Sequence, residues 1–240
     1  MGLICGGAYA GWWQYERPFP GIARSPARGD KATRSESPSG SKAMRYLHVV
    51  TLWFRSRILR DRAARWNLQY AVGKWDKLKA EQARLAATAQ LLVRHVPRGR
   101  VLEIGCGEAL LQQQMNPADY LGWLGVDISE LAIRRAQAFA TDQVRYLTAD
   151  MEIFEPGARF DAIVFTESIY YSASPGRLLH RYGRFLNPGG VFIISIFRTK
   201  RSDAIWTEIH ATAAAFDAIA TTNELGAWNC EALRPPKDTR

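Results

Sequence analysis

Apolar positions along this chain follow two different rhythms, and the alternation between them predicts the fold. Short apolar runs at 101–104, 122–126, 144–147, 160–165 and 191–196 read as buried strands. Before, between and after them lie stretches with apolar residues three and four apart, which predict helices: 77–95, 108–115, a segment before 186, and 203–214. Strand–helix alternation of this kind predicts a parallel sheet covered by helices on both faces. The end of the chain departs from it. Phe216–Thr222 and Trp228–Leu233 are two apolar runs separated by a link containing Asn223-Glu224-Leu225-Gly226, too short for a crossover helix, so they are expected to pair antiparallel.

The first strand runs directly into Gly105-Cys106-Gly107, where two residues without a Cβ allow a sharp turn and close approach of a ligand. A helix from Glu108 to Met115 would then aim its free N–H groups into the same crevice. The second strand ends on Asp127, at the place where an acidic side chain grips a ribose. A dinucleotide loop would want a third glycine where this chain has Leu110, and no Gly-Lys-Ser/Thr phosphate loop occurs, so phosphate-bearing ligands lose ground. The third strand leads to Asp150-Met151, the fourth to Thr166-Glu167-Ser168-Ile169-Tyr170-Tyr171, and Asn187-Pro188-Gly189-Gly190 precedes the fifth.

With these motifs in this order, residues 101–196 resemble the class I S-adenosylmethionine-dependent methyltransferases, nearest to the small-molecule branch that includes nodulation N-methyltransferases, which also carry Glu-x-x-Tyr-Tyr after the fourth strand. The resemblance implies a Rossmann-like α/β fold with a seven-stranded, mostly parallel sheet, a C-terminal antiparallel hairpin and helices on both faces. It implies S-adenosylmethionine as cofactor. The loop from Glu103 through Gly105, Cys106 and Gly107 would hold the methionine half. Asp127, with Ile128 beside it, would take the ribose hydroxyls; Asp150 would take the adenine amino group, and Met151 would pack on the ring. Trp75 stands where relatives fold an N-terminal lid over the cofactor. The expected activity is methyl transfer to a nitrogen or oxygen of a small-molecule acceptor, with a nucleic-acid methyltransferase or a non-catalytic cofactor-binding module as alternatives.

On the acceptor side, Glu167 is the first candidate, because ligand crevices open at the carboxyl ends of such strands. Tyr171 is the second, since two adjacent tyrosines are not expected to share one face, and His210 is a candidate base on the helix 203–214.

Charge changes the picture of the N-terminus. Residues 1–65 carry 12 Lys and Arg against 4 Asp and Glu, whereas residues 66–240 carry 20 against 19. Residues 1–43, rich in Pro, Gly, Ser and Arg, are expected to be disordered. Residues 44–95 are expected to form an N-terminal helical region and lid, with Tyr46–Arg65 as an Arg-rich amphipathic helix packed on the domain with a solvated basic face or, as the alternative, in contact with a membrane surface or nucleic acid. Residues 96–240 are then the methyltransferase domain. A near-neutral domain has no electrostatic track for phosphates, so nucleic acid is not the expected partner. The apolar run at 1–13 is too short to span a bilayer. Three cysteines, Cys5, Cys106 and Cys230, have no metal-type spacing and fit a reducing compartment, and a cytoplasmic location is expected.

Overall fold

The computed structural model describes residues 42–235; the expectations for residues 1–41, Cys5 among them, lie outside the described residues, as do the side chains of Lys42, Ala43, Lys77 and Leu78. Seven strands, β1 (Gly99–Ile104), β2 (Tyr120–Asp127), β3 (Val144–Thr148), β4 (Phe160–Thr166), β5 (Leu186–Phe197), β6 (Ala214–Asn223) and β7 (Gly226–Arg234), form one sheet in the order β3-β2-β1-β4-β5-β7-β6. The first five are parallel, and β7 pairs antiparallel with both β5 and β6. The predicted edge hairpin is therefore present, turning at Asn223–Gly226.

Alternation of side chains along the strands divides the core in two. On one face Val101, Trp123, Val144, Val164 and Ile193 pack against α3 (Gln82–His95) and α4 (Glu130–Ala136). On the other, Leu102, Ile104, Ile163, Phe165 and Ile194 pack against α5 (Pro175–Gly183) and α6 (Ser202–Thr212). Helix α3 contributes Leu85, Leu91 and Leu92 to the same core as the strands, so it belongs to the sheet's covering layer.

Three local predictions are corrected. The stretch from Tyr46 to Arg65 is two helices, α1 (Lys42–Arg57) and α2 (Arg62–Ala71), because Arg60 takes a left-handed φ of 53° and Asp61 starts a new helix by accepting the Ala64 N–H. The helix expected from Lys77 begins at Gln82, after a 3₁₀ turn at Asp76–Ala80. The helix expected at Glu108–Met115 does not form. Gly107 and the buried Ala109 both have left-handed φ, 55° and 64°, which a right-handed helix cannot contain, and the segment is a run of turns ending in a 3₁₀ turn at Gln112–Gln114. No helix N-terminus therefore faces the crevice there, in keeping with a ligand that carries no phosphate.

Candidate active site

The carboxyl ends of β1, β2, β3 and β4 open into a cavity of about 290 Å³, on the scale of small-molecule sites. Its lining includes Glu103, Gly105, Cys106, Gly107, Asp127, Ile128, Asp150, Met151, Trp75, Glu167 and Tyr171, so all but one of the site residues expected from the sequence meet in one place.

The exception is His210. It is outside the lining, stacked on Trp206 at 5.4 Å, with Nε2 2.6 Å from Glu231 Oε2 of β7. Its ring is held by Glu231 of the hairpin and Trp206 of α6, outside the cavity lining.

Glycine is required at two positions for different reasons. Gly105 has φ 75°, and a Cβ there would meet the Ser168 Cβ at 2.4 Å. At Gly107 a Cβ would meet the Tyr70 hydroxyl at 2.8 Å. The loop is pinned from below by Ser168, whose hydroxyl donates to the Ile104 carbonyl at 2.6 Å. Cys106 is buried, and burial raises its thiol pKa, so it is a packing residue in the loop and not an exposed nucleophile.

Asp127 is held in place by backbone donors: the Gly107 N–H at 3.0 Å to one oxygen and the Ser129 N–H at 2.8 Å to the other. An ionised carboxylate offers about four acceptor sites, so this grip orients Asp127 without exhausting it. Burial pushes its pKa up to about 6, while the Ser129 and Gly107 N–H groups pull the other way. Glu103 is fully buried in β1 and accepts the Trp123 indole N–H at 3.2 Å; burial lifts its carboxyl to about 8, with the indole N–H and Arg84 opposing the rise. Asp150 accepts the Glu152 N–H at 2.9 Å and lies 3.3 Å from Arg62 of α2. Arg181 and Tyr182 of α5 hold the Met151 carbonyl, at 2.6 and 3.1 Å, which fixes the loop that carries Asp150.

The opposite wall is aromatic. Trp66 stacks on Trp75 at 5.7 Å and meets Tyr171 edge-on at 4.5 Å; Tyr70 lies 6.4 Å from Trp75, and Tyr170 lies 4.6 Å from Tyr171. Both tyrosines line the cavity, against the expectation that only one would; they lie in the 3₁₀ turn Ile169–Tyr171. Helix α2 is fastened over the cavity by Asn67, whose side-chain oxygen accepts from the Ser129 hydroxyl at 2.7 Å and the Leu131 N–H at 3.0 Å. The Trp75 indole N–H is buried with no acceptor among the described residues.

Glu167 sits just beyond β4 with φ 56°, a conformation costly for a side-chain-bearing residue and held by its surroundings. Its carboxylate accepts from the Ser195 hydroxyl at 2.9 Å, the Phe197 N–H at 3.0 Å and the Tyr170 hydroxyl at 3.1 Å. Burial raises its pKa, with Arg84 the largest opposing influence.

Arg84 was not anticipated. This arginine of α3 is 2% exposed and lines the cavity; its Nε donates to Glu81 at 3.2 Å, and its charge opposes the rise in the Glu103 and Glu167 pKa. A buried guanidinium is costly unless acidic groups or a ligand complete it. The signal was present in the sequence: Arg84 occupies the apolar stripe it shares with Thr88, Leu91 and Leu92, with an acidic residue one turn before it.

A family model described as a methyltransferase domain matches residues 76–229 of this chain. The chain belongs to that methyltransferase-domain family, as the sequence motifs implied, and S-adenosylmethionine is the cofactor that goes with that membership. Among curated relatives, the ubiquinone biosynthesis O-methyltransferase of Azorhizobium caulinodans is 33% identical over 152 residues, which covers 55% of this chain and 58% of that protein. The human mitochondrial arginine-hydroxylase NDUFAF5 is 28% identical over 193 residues, covering 78% of this chain and 54% of that protein. The chain thus spans somewhat more than half the length of these relatives. The structure of the N-methyltransferase NodS from Bradyrhizobium japonicum WM9, in complex with S-adenosyl-L-homocysteine, superposes with a TM-score of 0.58 at 18% identity, covering 65% of this chain and 88% of that one, which shows the shared fold.

Proposed function

We propose that this chain transfers a methyl group from S-adenosylmethionine to a nitrogen or oxygen of a small-molecule acceptor. The observation that carries this reading is the convergence, on one cavity, of a glycine cradle, two carboxylates at successive strand ends and an aromatic wall facing a third carboxylate. The cavity fits the cofactor because the buried Trp75 indole N–H, which has no acceptor among the described residues, would be satisfied by a polar ligand, and because Arg84 brings a buried positive charge to the same lining. In this reading the loop from Glu103 through Gly105, Cys106 and Gly107 holds the methionine half, with Arg84 on its carboxylate. Asp127 and Ile128 hold the ribose, Asp150 and Met151 the adenine, and Trp75 covers them.

The bound cofactor supplies a methyl already activated on a sulfonium. The chain's own part is then positioning and the exclusion of water. Trp66, Tyr70, Trp75 and Tyr171 wall off the cavity. Glu167 presents a carboxylate fixed by three donors, suited to accept a hydrogen bond from an amine or hydroxyl and to take its proton if the acceptor arrives protonated. A carboxylate here disfavours a polyanionic acceptor, and the near-neutral charge of residues 66–240 offers no phosphate track.

A second reading, a protein side chain as acceptor, is favoured by the similarity to NDUFAF5, which extends over more of this chain than the match to the O-methyltransferase. Cofactor labelled on the methyl, incubated separately with a metabolite extract, total protein, and total RNA and DNA, decides between them. Label in the small-molecule fraction is expected. Label in protein supports the second reading, label in RNA or DNA a nucleic-acid methyltransferase, and cofactor binding without any transfer a non-catalytic module.

A further inference from the structure

Helix α1 has two apolar faces and uses only one. Leu52, 4% exposed, with the half-buried Val49 and Ser56, packs it against α2. On the opposite side Tyr46, Val50, Trp53 and Phe54 recur at i, i+4, i+7 and i+8, and Leu47 adjoins them. These five side chains are between 41% and 73% exposed. Ile58 and Leu59 extend the patch past the helix end, at 58% and 63% exposure. Isolated apolar residues on a surface are ordinary, but a contiguous stripe led by Trp, Phe and Tyr marks a surface that something covers.

The charge around this stripe says what. From residue 42 to residue 60 the sequence contains no Asp or Glu. Arg45, Arg57 and Arg60 are exposed and have no acidic partner among the described residues, while Arg55 is engaged with Asp61. A helix with a bare aromatic–aliphatic face, basic residues beside it and none of the opposite sign is built to lie in the headgroup region of an anionic bilayer. There the rings enter the acyl boundary and the guanidinium groups meet lipid phosphates. A nucleic acid would satisfy the arginines and leave the rings in water. We propose that α1 docks this protein on an anionic membrane surface. Among the described residues no helix is long and apolar enough to cross a membrane, so the association would be peripheral. Because α1 packs on α2, whose Arg62 and Trp66 line the cavity, docking would bring the cavity close to the lipid surface. The proposal is independent of the acceptor's identity.

The test is co-sedimentation of the full chain with vesicles of equimolar phosphatidylcholine and phosphatidylglycerol, compared with pure phosphatidylcholine. Binding to the anionic vesicles alone, weakened by added salt, is expected. The double substitution Trp53→Gln with Phe54→Gln should lower partitioning by about tenfold or more. Arg45→Gln with Arg57→Gln should lower it as well. Neither pair lines the cavity, so both variants should keep the parent's melting temperature and affinity for S-adenosylhomocysteine, which shows that they remain folded. No binding to either vesicle, equal binding to both, or binding that survives both double substitutions would overturn the proposal. So would a concentration-dependent dimer without vesicle binding that Trp53→Gln with Phe54→Gln disperses, since a second copy would then cover the stripe. Retention of a DNA duplex on the same arginines in place of vesicles would overturn it too.

Discussion

The two walls of the cavity are built in opposite ways. The wall formed by the ends of β1, β2 and β3 is local: each contributing residue lies within a few positions of a strand end, and backbone N–H groups set its geometry, as they do for Asp127. The facing wall is assembled from distant pieces, with Trp66 and Tyr70 from α2, Tyr170 and Tyr171 after β4, and Trp228 of β7. A wall made by strand ends is fixed by the sheet and tolerates little change. A wall made of side chains from separate helices and turns can be re-lined without touching the sheet. This difference suits an unchanging cofactor on one side and a particular acceptor on the other.

Substitutions on the two sides should therefore fail differently. The largest effect is expected from Gly105→Ala, which forces a left-handed φ on alanine and drives its Cβ to within 2.4 Å of Ser168. A loss of about 3 kcal/mol of stability, together with loss of cofactor binding, should be visible in thermal unfolding and calorimetry. An alanine variant that retains the parent melting temperature would show that the loop is not held as tightly as described.

Arg84→Met tests whether the boundary between the walls is drawn correctly. If Arg84 serves the cofactor's carboxylate, the variant should lose at least about tenfold in affinity for S-adenosylhomocysteine, the worth of one charge-assisted hydrogen bond. Affinity for adenosine alone, which lacks the carboxylate, should hardly change. Equal losses for both ligands would make Arg84 a general support of the cavity.

Glu167→Gln should leave cofactor affinity near that of the parent and lower turnover by roughly tenfold or more, within the range of a positioned carboxylate. The amide keeps the shape but cannot accept from the Phe197 N–H with the same charge, so a stability loss of about 1 kcal/mol should accompany it. Parallel loss of binding and turnover would place Glu167 with the cofactor wall.

The same contrast explains what was legible in the sequence. The strands, the edge hairpin, the glycine cradle, Asp127 and Asp150 all follow from short-range pattern, and the structure brings them to the sheet and cavity described above; the order of the strands in the sheet does not follow from it. The helix expected after Gly107 failed because apolar spacing at Leu110 and Leu111 says nothing about a left-handed Ala109 one residue earlier. The break at Arg60 was readable from Asp61 as a helix N-cap, and missing it hid Trp66 and Tyr70 as one face of a separate helix. Arg84 is hidden from apolar periodicity because a charged residue within a helix's stripe reads as an exception to the pattern. His210 lies outside the cavity lining for a reason no spacing reveals: Glu231, far along the chain on β7, holds the histidine.

The central claim is that Asp127 receives the cofactor's ribose, and calorimetric titration with S-adenosylhomocysteine on either side of pH about 6 tests it most directly. Burial raises the Asp127 pKa from 3.8 to about 6, so the ionised carboxylate that accepts the ribose hydroxyls is present only above that pH. Affinity should fall as pH falls through it. Stability of the free protein should move the other way. The folded state holds the Asp127 proton over the window from 3.8 to about 6 that the unfolded state has lost, so this group's destabilising contribution shrinks as pH drops. Asp127→Ala should bind at least about tenfold more weakly than the parent above pH 6 and lose the pH step. Equal affinity of parent and variant, with the step retained, would contradict the account.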